Sequence, residues 1–261
     1  MVPPAWGPYD YGPKGEIVGF NDDRIRTSFI PGVDVLNVYD AARRLGLYWV
    51  ATPEIVPWWE TPLRTMLHWW AAPTSLQPVH GGAVGRDGQG VLVVGNSGSG
   101  KSTTTLACLE AGLEYASDDY LVADVDTLTA YSLYGTAKLE PENLPRFPSL
   151  APLIGNAAYL DEQKAIVYLY PDRSGLLAPS LRLRAMVMPN VTGRRDTRVE
   201  RGSQAAALRV LVTTTSFHLP GYAREVMDKL NRLVRALPCY RLDAGTDLDQ
   251  LAATVADLAQ S

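Results

Sequence analysis

Apolar and polar positions alternate in blocks along the chain, and these blocks predict an α/β fold. The run Val91-Leu92-Val93-Val94 is continuously apolar, which is typical of a strand buried on both faces. A glycine-rich segment separates this strand from a predicted helix over Lys101–Ala111, and Gly112 then takes the usual place of a helix C-cap residue. A second apolar segment, Glu114–Ser117, follows the helix and ends at a pair of aspartates. This order of strand, turn, helix and strand indicates a sheet with helices packed against it.

Downstream segments continue the same pattern. Further strands are predicted from short apolar runs at Tyr120–Val125, Leu128–Tyr134, Ala165–Tyr170, Leu181–Met188 and Tyr240–Leu242. The strand that begins at Leu181 is expected to stop at the turn signal Pro189-Asn190. Helices are predicted at Ser203–Thr214, at Tyr222–Leu237, and after the capping segment Thr246–Asp249. We therefore expect a mixed sheet flanked by helices over residues 77–261.

Residues 1–76 differ in composition and predict a small N-terminal α+β appendage. They are rich in proline, glycine and aromatic residues, with short apolar alternations at 17–20 and 35–38 that predict strands. A short helix is expected over Tyr39–Leu47. The boundary between this appendage and the main domain is placed between residues 76 and 77.

A second helix of the appendage is predicted over residues 61–72. Thr61 is a suitable N-cap with Pro62 at the first helical position. One face is predicted to carry the apolar side chains, Leu63, Met66, Leu67 and Trp70. The adjacent tryptophan pairs, Trp58-Trp59 and Trp69-Trp70, are interpreted as core-filling rings rather than as a ligand-stacking surface.

Composition and charge narrow the classes of function. The formal net charge of −4 argues against a general nucleic-acid or anionic-membrane binder. No window approaches 18 continuous apolar residues, so no membrane span is predicted, and the first residues do not have the pattern of a secretory signal. The two cysteines, Cys108 and Cys239, lack metal-site or disulfide spacing, which fits a cytoplasmic setting. The oligomeric state is left open.

The glycine-rich segment matches the phosphate-binding loop, or P-loop, pattern G-x-x-x-x-G-K-[ST] at every fixed position. Its glycines let successive backbone N–H groups point at phosphate oxygens, and the following helix adds its positive dipole end. Lys101 would contact the β- and γ-phosphates, and the Ser102 hydroxyl would bind Mg²⁺. The predicted nucleotide-binding residues are Gly95, Asn96, Ser97, Gly98, Ser99, Gly100, Lys101, Ser102 and Thr103. The predicted cofactors are ATP and Mg²⁺.

The pair Asp118-Asp119 lies at the end of the strand that follows the P-loop helix. Phosphoryl transfer needs one carboxylate for the cation and one to accept the hydroxyl proton. Neighbouring residues of a strand point to opposite sides, so the two carboxylates can divide these tasks. The alternative is a solvated acidic turn, which the P-loop one helix upstream disfavours. A raised pKa on one of the two would be the expected signature of function.

These motifs together resemble the HPr kinase/phosphorylase family and its serine-kinase relatives, whose nucleotide fold is shared with phosphoenolpyruvate carboxykinase. The resemblance runs over about residues 75–125: His80-Gly81, a strand, the P-loop, a helix and Ser117-Asp118-Asp119. It implies that Ser102 and Asp119 bind Mg²⁺, that Asp118 is the catalytic base beside Lys101, and that His80 lies near the same site. Without the resemblance, His80 would be interpreted as a structural histidine.

The chain also departs from that family. The glycine-rich signature that follows the aspartate pair in the family is replaced here by Tyr134–Leu139, and about 80 residues are short for the family's N-terminal domain. Shorter relatives of this kind resemble lasso-peptide serine kinases. The resemblance therefore implies a peptide or protein serine as acceptor, with a small hydroxylated metabolite as the alternative. Lys138 is placed in a turn, either as a further phosphate or acceptor contact or as a plain surface lysine.

The leading hypothesis from the sequence is an ATP-dependent kinase that phosphorylates a hydroxyl group. A P-loop NTPase that acts as a switch or assembly factor is the alternative, and a non-catalytic nucleotide sensor is the third. The sequence identifies no glutamate near Asp119 that would activate water, which weighs against the switch.

Overall fold

The computed structural model describes residues 7, 10–30, 34–51, 61–216 and 219–261. Trp58, Trp59 and His218 lie outside these residues. The strands are β1 (Ile25–Ile30), β2 (Val35–Asp40), β3 (Leu45–Val50), β4 (Leu76–His80), β5 (Gly82–Arg86), β6 (Gln89–Val93), β7 (Glu114–Ser117), β8 (Tyr120–Asp124), β9 (Thr129–Ser132), β10 (Thr136–Leu139), β11 (Ala165–Tyr168), β12 (Ser180–Val191), β13 (Arg198–Arg201) and β14 (Cys239–Ala244). The helices are α1 (Arg64–Ala71), α2 (Lys101–Glu110), α3 (Gln204–Thr215), α4 (Ala223–Ala236) and α5 (Leu248–Gln260).

Within the described residues, nine strands form one mixed sheet, as the sequence predicts for an α/β fold. Seven of them lie in the order β4-β8-β9-β12-β6-β5-β7, and β14 pairs with the later half of β12 and carries β13 at its other edge. β1, β2 and β3 form a separate antiparallel sheet, and β10 and β11 form a two-stranded one. None of the described helices is both long and apolar enough to cross a membrane.

Helices cover both faces of the main sheet. α2 and α5 pack on one face, where Leu106 and Val255 belong to the same fully buried core. α3 and α4 pack on the other face through Leu211 and Leu230. Continuous apolar strands such as β6 are buried between these two layers, which explains why their sequences do not alternate.

The topology places two functional segments at one edge of the sheet. β5 is antiparallel to both of its neighbours, β6 and β7, so those two strands run in the same direction. The P-loop follows β6 and the aspartate pair follows β7. Because β6, α2 and β7 follow one another closely in the sequence, they bring the P-loop and the aspartate pair to the same edge of the sheet.

The strand β12 continues through the predicted stop at Pro189-Asn190, so that prediction was wrong. β12 pairs with β14 as far as Val191, whereas its pairing with β6 ends at Val187. The Val187 carbonyl accepts from the Val94 N–H on the β6 side, so the nitrogen of Pro189, two residues later, faces the same side. Beyond Val187, β6 offers no carbonyl to accept a hydrogen bond from that side of β12. Pro189 has no N–H to donate, so it is tolerated at this position.

The N-terminal region contains a three-stranded sheet where a helix was predicted over Tyr39–Leu47. That prediction was wrong because the segment forms the β2–β3 hairpin, with Asp40 opposite Leu45. Asp40 accepts hydrogen bonds from the Arg24 guanidinium and from the Arg43 N–H, which fixes the turn between the strands. Residues 17–20 contribute an isolated bridge at Ile17 rather than a strand.

Helix α1 begins later than predicted and buries a different face. Its N-cap position is Leu63, in a left-handed conformation with no side-chain cap, so Thr61 is not the cap. Met66, His68 and Trp69 are buried, whereas Leu63 and Trp70 are exposed, so the predicted apolar face was wrong at every position except Met66, which alone among the predicted residues is buried. Trp69 fills a small core as expected, and its indole N–H donates to the Pro220 carbonyl at 3.0 Å. The domain boundary at residues 76 and 77 stays a prediction.

Candidate functional site

The P-loop forms a tight turn between β6 and α2. Gly98 and Gly100 have φ angles of 75° and 99°, in the left-handed region that favours glycine. A Cβ added at Gly100 would also lie 3.0 Å from Cγ2 of Val191. α2 begins at Lys101 without a side-chain cap, so the positive end of the helix faces the loop. The turn, the strand and the helix are those that the motif requires.

Lys101 is buried inside this turn although it carries a charge. Its ammonium donates hydrogen bonds to the carbonyl oxygens of Gly95 at 2.8 Å and Asn96 at 3.1 Å. Burial lowers the pKa of Lys101, and the charges of Asp118 and Asp119 act against that shift. The lysine is therefore held at the cavity by backbone contacts and by two nearby carboxylates.

Asp118 is almost completely buried, with 2% of its surface exposed. One carboxylate oxygen accepts from the Thr105 hydroxyl at 2.9 Å, and the other accepts from the Lys138 N–H at 2.9 Å. Burial raises the pKa of Asp118, while hydrogen bonds from Lys138, Thr105 and Ser102 act in the opposite direction. Neutral donors thus fix the orientation of this carboxylate.

Asp119 faces the side chains of Lys138 and His80 instead. The Lys138 ammonium lies 2.8 Å from its Oδ2 atom, and Nδ1 of His80 lies 3.5 Å from its Oδ1 atom. The His80 ring meets the ring of Tyr120 edge-on, with 4.9 Å between the ring centroids. Burial raises the pKa of Asp119, and the neighbouring charge of Asp118 adds to that shift. The pKa is therefore raised for both Asp118 and Asp119, whereas a raised pKa was expected from the sequence for one of the two.

These groups line one cavity of about 690 Å³. One wall consists of residues singled out from the sequence: His80, Ser97, Gly98, Lys101, Asp118 and Asp119. Gly100, Ser102 and Thr103 line the same wall, whereas Gly95, Asn96 and Ser99 belong to the loop without lining the cavity. The structure thus brings together most of the predicted residues, and their roles stay predictions.

The opposite wall comes from a part of the chain without a recognised motif. It is built by β10, β11 and the short 3₁₀ turns between them, including Lys138, Glu140, Arg146, Glu162, Lys164 and Ile166. The predicted turn at Lys138 was wrong, because Lys138 is paired with Ile166 in the two-stranded sheet. The segment Thr136–Leu139 alternates polar and apolar residues, but four residues are too few for this alternation to distinguish a strand from a turn.

The donor set of the cavity is compatible with Mg²⁺ bound together with a nucleotide. Across the part of the chain that the structure describes, no group of three or more His, Cys, Asp or Glu residues could hold a metal ion on its own. Mg²⁺ keeps several waters and usually takes one or two carboxylates plus phosphate oxygens. Asp119 and Ser102 at the cavity wall fit such a partial ligand set.

The fold is mixed α/β, and the segment with the P-loop sequence pattern lies next to the aspartate pair at one cavity. No protein-family model matches the chain, and no curated protein matches its sequence at a significant level. Among solved structures, the HPr(Ser) kinase/phosphatase from Coxiella burnetii is 13% identical, with a TM-score of 0.35, over 69% of this chain and 93% of that chain. At this level the likeness carries no information about activity.

Proposed function

We propose that this protein is a Mg²⁺- and ATP-dependent kinase that transfers the γ-phosphate to a hydroxyl group. The observation that carries the proposal is the convergence of Lys101, Asp118 and Asp119 on one cavity beside the N-terminus of α2. A phosphate-binding turn alone would fit any nucleotide-binding protein. Two carboxylates within the same cavity add the charge and the proton acceptor that phosphoryl transfer requires.

The environments of the two carboxylates support different roles for them. Asp118 is oriented by the neutral donors Thr105 and the Lys138 N–H, which leaves its charge available to accept a proton. Asp119 already pairs with the Lys138 ammonium, so it is the better placed to exchange a cation for Mg²⁺. We therefore assign Asp118 as base and Asp119, with Ser102, as metal ligand.

The chain's own residues would act by positioning and by charge. Lys101 and the α2 N-terminus hold the phosphates, and Asp118 takes the hydroxyl proton as the acceptor oxygen forms its bond to phosphorus. The bond between the γ-phosphorus and the bridging oxygen breaks, and ADP leaves. Mg²⁺, when bound, supplies neutralisation of the charge on the phosphate oxygens. His80 lies beside Asp119, where it would help to fix that carboxylate.

The acceptor is proposed to be a serine hydroxyl of a peptide or protein, with a small hydroxylated metabolite as the second class. The cavity is lined by both acidic and basic side chains, such as Glu142 and Arg146. A cavity of this size is in the range of ligand-binding pockets in general.

The experiment is a transfer assay with ATP labelled at the γ-phosphate, using serine-containing peptides and hydroxylated metabolites as acceptors. Label is expected in an acceptor, and Lys101→Ala and Asp118→Asn are each expected to lower the rate about 10²- to 10³-fold. Asp126→Asn makes the same chemical change at an exposed carboxylate that pairs with Arg232, and it serves as the control.

Two outcomes would contradict parts of the proposal. Undiminished transfer by Asp118→Asn would remove the base assignment. Sustained release of inorganic phosphate with no labelled acceptor, stimulated by a partner protein, would favour the NTPase switch over the kinase.

A further inference from the structure

Lys138 contacts both carboxylates of the aspartate pair, through two different groups. Its backbone N–H donates to Oδ2 of Asp118 at 2.9 Å, and its side-chain ammonium lies 2.8 Å from Oδ2 of Asp119. Lys138, which lies outside the sequence motifs, therefore links the carboxylates of Asp118 and Asp119.

The strand β10 fixes Lys138 in this place. Ala137 and Leu139, on either side of it, are 1% and 2% exposed and belong to the core that includes α2. Side chains alternate along a strand, so Lys138 points away from that core and lines the cavity. The backbone contact to Asp118 depends on the strand, whereas the ammonium contact to Asp119 depends on the side chain alone.

The ammonium and a divalent cation would compete for the same carboxylate. The side chains of Lys138 and Asp119 are 21% and 18% exposed, so water screens their attraction only in part. A metal ion that binds Asp119 would lie close to the Lys138 ammonium, so repulsion between the two cations opposes its binding until the ammonium moves away. Lys164, which lines the same cavity, pairs instead with Glu140 at 2.7 Å.

We propose that Lys138 is the counter-ion of Asp119 in the ligand-free protein and yields that carboxylate to the divalent cation when nucleotide binds. The released ammonium then pairs with the phosphoryl group that is being transferred. The first step rests on the proposed role of Asp119 as metal ligand, and the second step rests also on the proposed kinase activity. The metal site is thereby kept weak until the nucleotide adds its own oxygen ligands.

The first test measures Mn²⁺ binding to the nucleotide-free protein, by electron paramagnetic resonance of the unbound ion. Lys138→Met is expected to bind Mn²⁺ at least about fivefold more tightly than the wild type, because it removes the competing ammonium. Lys164→Met removes the same charge from the same cavity without a contact to Asp119, and we expect a gain of less than about twofold, since that charge is more distant. Equal gains in the two variants would overturn the proposal.

Two further variants separate the counter-ion role from a structural one. Lys138→Arg keeps a cation at the site, so its Mn²⁺ affinity should stay close to that of the wild type. In an Asp119→Asn background, Lys138→Met should no longer change Mn²⁺ affinity. A persisting gain in that background would overturn the proposal. Where Lys138→Met does not fold, Lys138→Gln removes the same charge with a polar side chain, and the same gain in Mn²⁺ affinity is expected of it.

The second step is tested by steady-state kinetics of labelled phosphate transfer. Lys138→Met is expected to lower kcat at least about tenfold with little change in the KM for ATP, because the ammonium acts on the transferring group. An unchanged kcat would overturn this step. Absence of transfer in the wild type would instead refute the proposed kinase, and the Mn²⁺ measurements would still decide the counter-ion role.

Discussion

Two buried lysines, Lys101 at the P-loop and Lys229 on α4, show how similar burial serves different ends. They are 9% and 8% exposed, and both donate to backbone carbonyls. Lys229 uses all three of its N–H groups, on the carbonyls of Ala71, Ala72 and Leu76 at 2.9–3.0 Å. Lys101 makes two such bonds and lies beside two carboxylates and a cavity.

A buried charge thus marks a candidate site only when its hydrogen-bonding capacity is not already used up by the fold. An ammonium has three donors. At Lys229 they close the end of α1 and join it to β4, which is a structural task. At Lys101 the contacts to the loop leave capacity for a phosphate oxygen, and the carboxylates supply partners for a metal ion.

The same substitution at the two lysines is expected to give opposite phenotypes, with a greater change in rate than any other variant below. Lys101→Met should lower phosphate transfer about 10²- to 10³-fold, because it removes a cation from the phosphates. Lys229→Met should leave kcat within about threefold but cost about 2–4 kcal/mol of stability, because three carbonyls lose a charged donor. Transfer assays and urea unfolding of both variants check this.

The kinetic measurements must be made well below the unfolding temperature of Lys229→Met, so that loss of folded protein is not counted as loss of activity. A loss of stability in Lys101→Met as large as that in Lys229→Met would contradict the distinction between the two lysines. So would a normal transfer rate in Lys101→Met.

His68, which lies on α1 near Lys229, is expected to make the stability of the protein depend on pH. His68 is 1% exposed, and burial lowers its pKa to about 4, with the nearby charges of Lys229 and Lys14 adding to the shift. Between about pH 4 and pH 6.5 the unfolded chain binds a proton that the folded protein does not, so stability falls as the pH is lowered. A shift from 6.5 to about 4 corresponds to about 3 kcal/mol between pH 7 and pH 4.

Urea unfolding at a series of pH values measures this effect, and His68→Gln is the control. The glutamine side chain can still donate to the Gly221 carbonyl, which Nε2 of His68 faces at 3.4 Å, but it does not titrate. The part of the pH dependence due to His68 should disappear in the variant. An identical slope in both proteins would show that His68 does not sense pH.

The sequence predicted most of the main sheet and one wall of the cavity, because those signals are local. The P-loop, its helix and the aspartate pair lie within residues 95–119, and neighbouring residues determine each turn. β6, β7 and α2 form as expected from apolar runs and from the C-cap glycine Gly112. The errors in the N-terminal region arose where a charged turn at Asp40 formed a hairpin through long-range contacts with Arg24.

The other wall could not be predicted, because its place depends on contacts between distant segments. Lys138 reaches Asp118 and Asp119 only when β10 packs against the core that includes α2. A single lysine in a short segment has no local pattern that distinguishes this from an exposed turn. The same limit applies to Lys229, whose carbonyl partners lie more than 150 positions away in the chain.

The weakest effect is expected at the outer rim of the cavity, where Lys164 is exposed rather than buried. The Glu140–Lys164 pair has a short distance of 2.7 Å, yet its side chains are 40% and 44% exposed. Water and salt screen such a pair, so Glu140→Gln should change stability by less than about 1 kcal/mol, and high salt should reduce even that. Urea unfolding at low and high ionic strength checks it. A loss of stability above this value that persists in high salt would contradict the prediction. It would mean that the Glu140–Lys164 pair contributes as much to stability as a buried lysine, and that exposure does not distinguish the structural charges of the cavity.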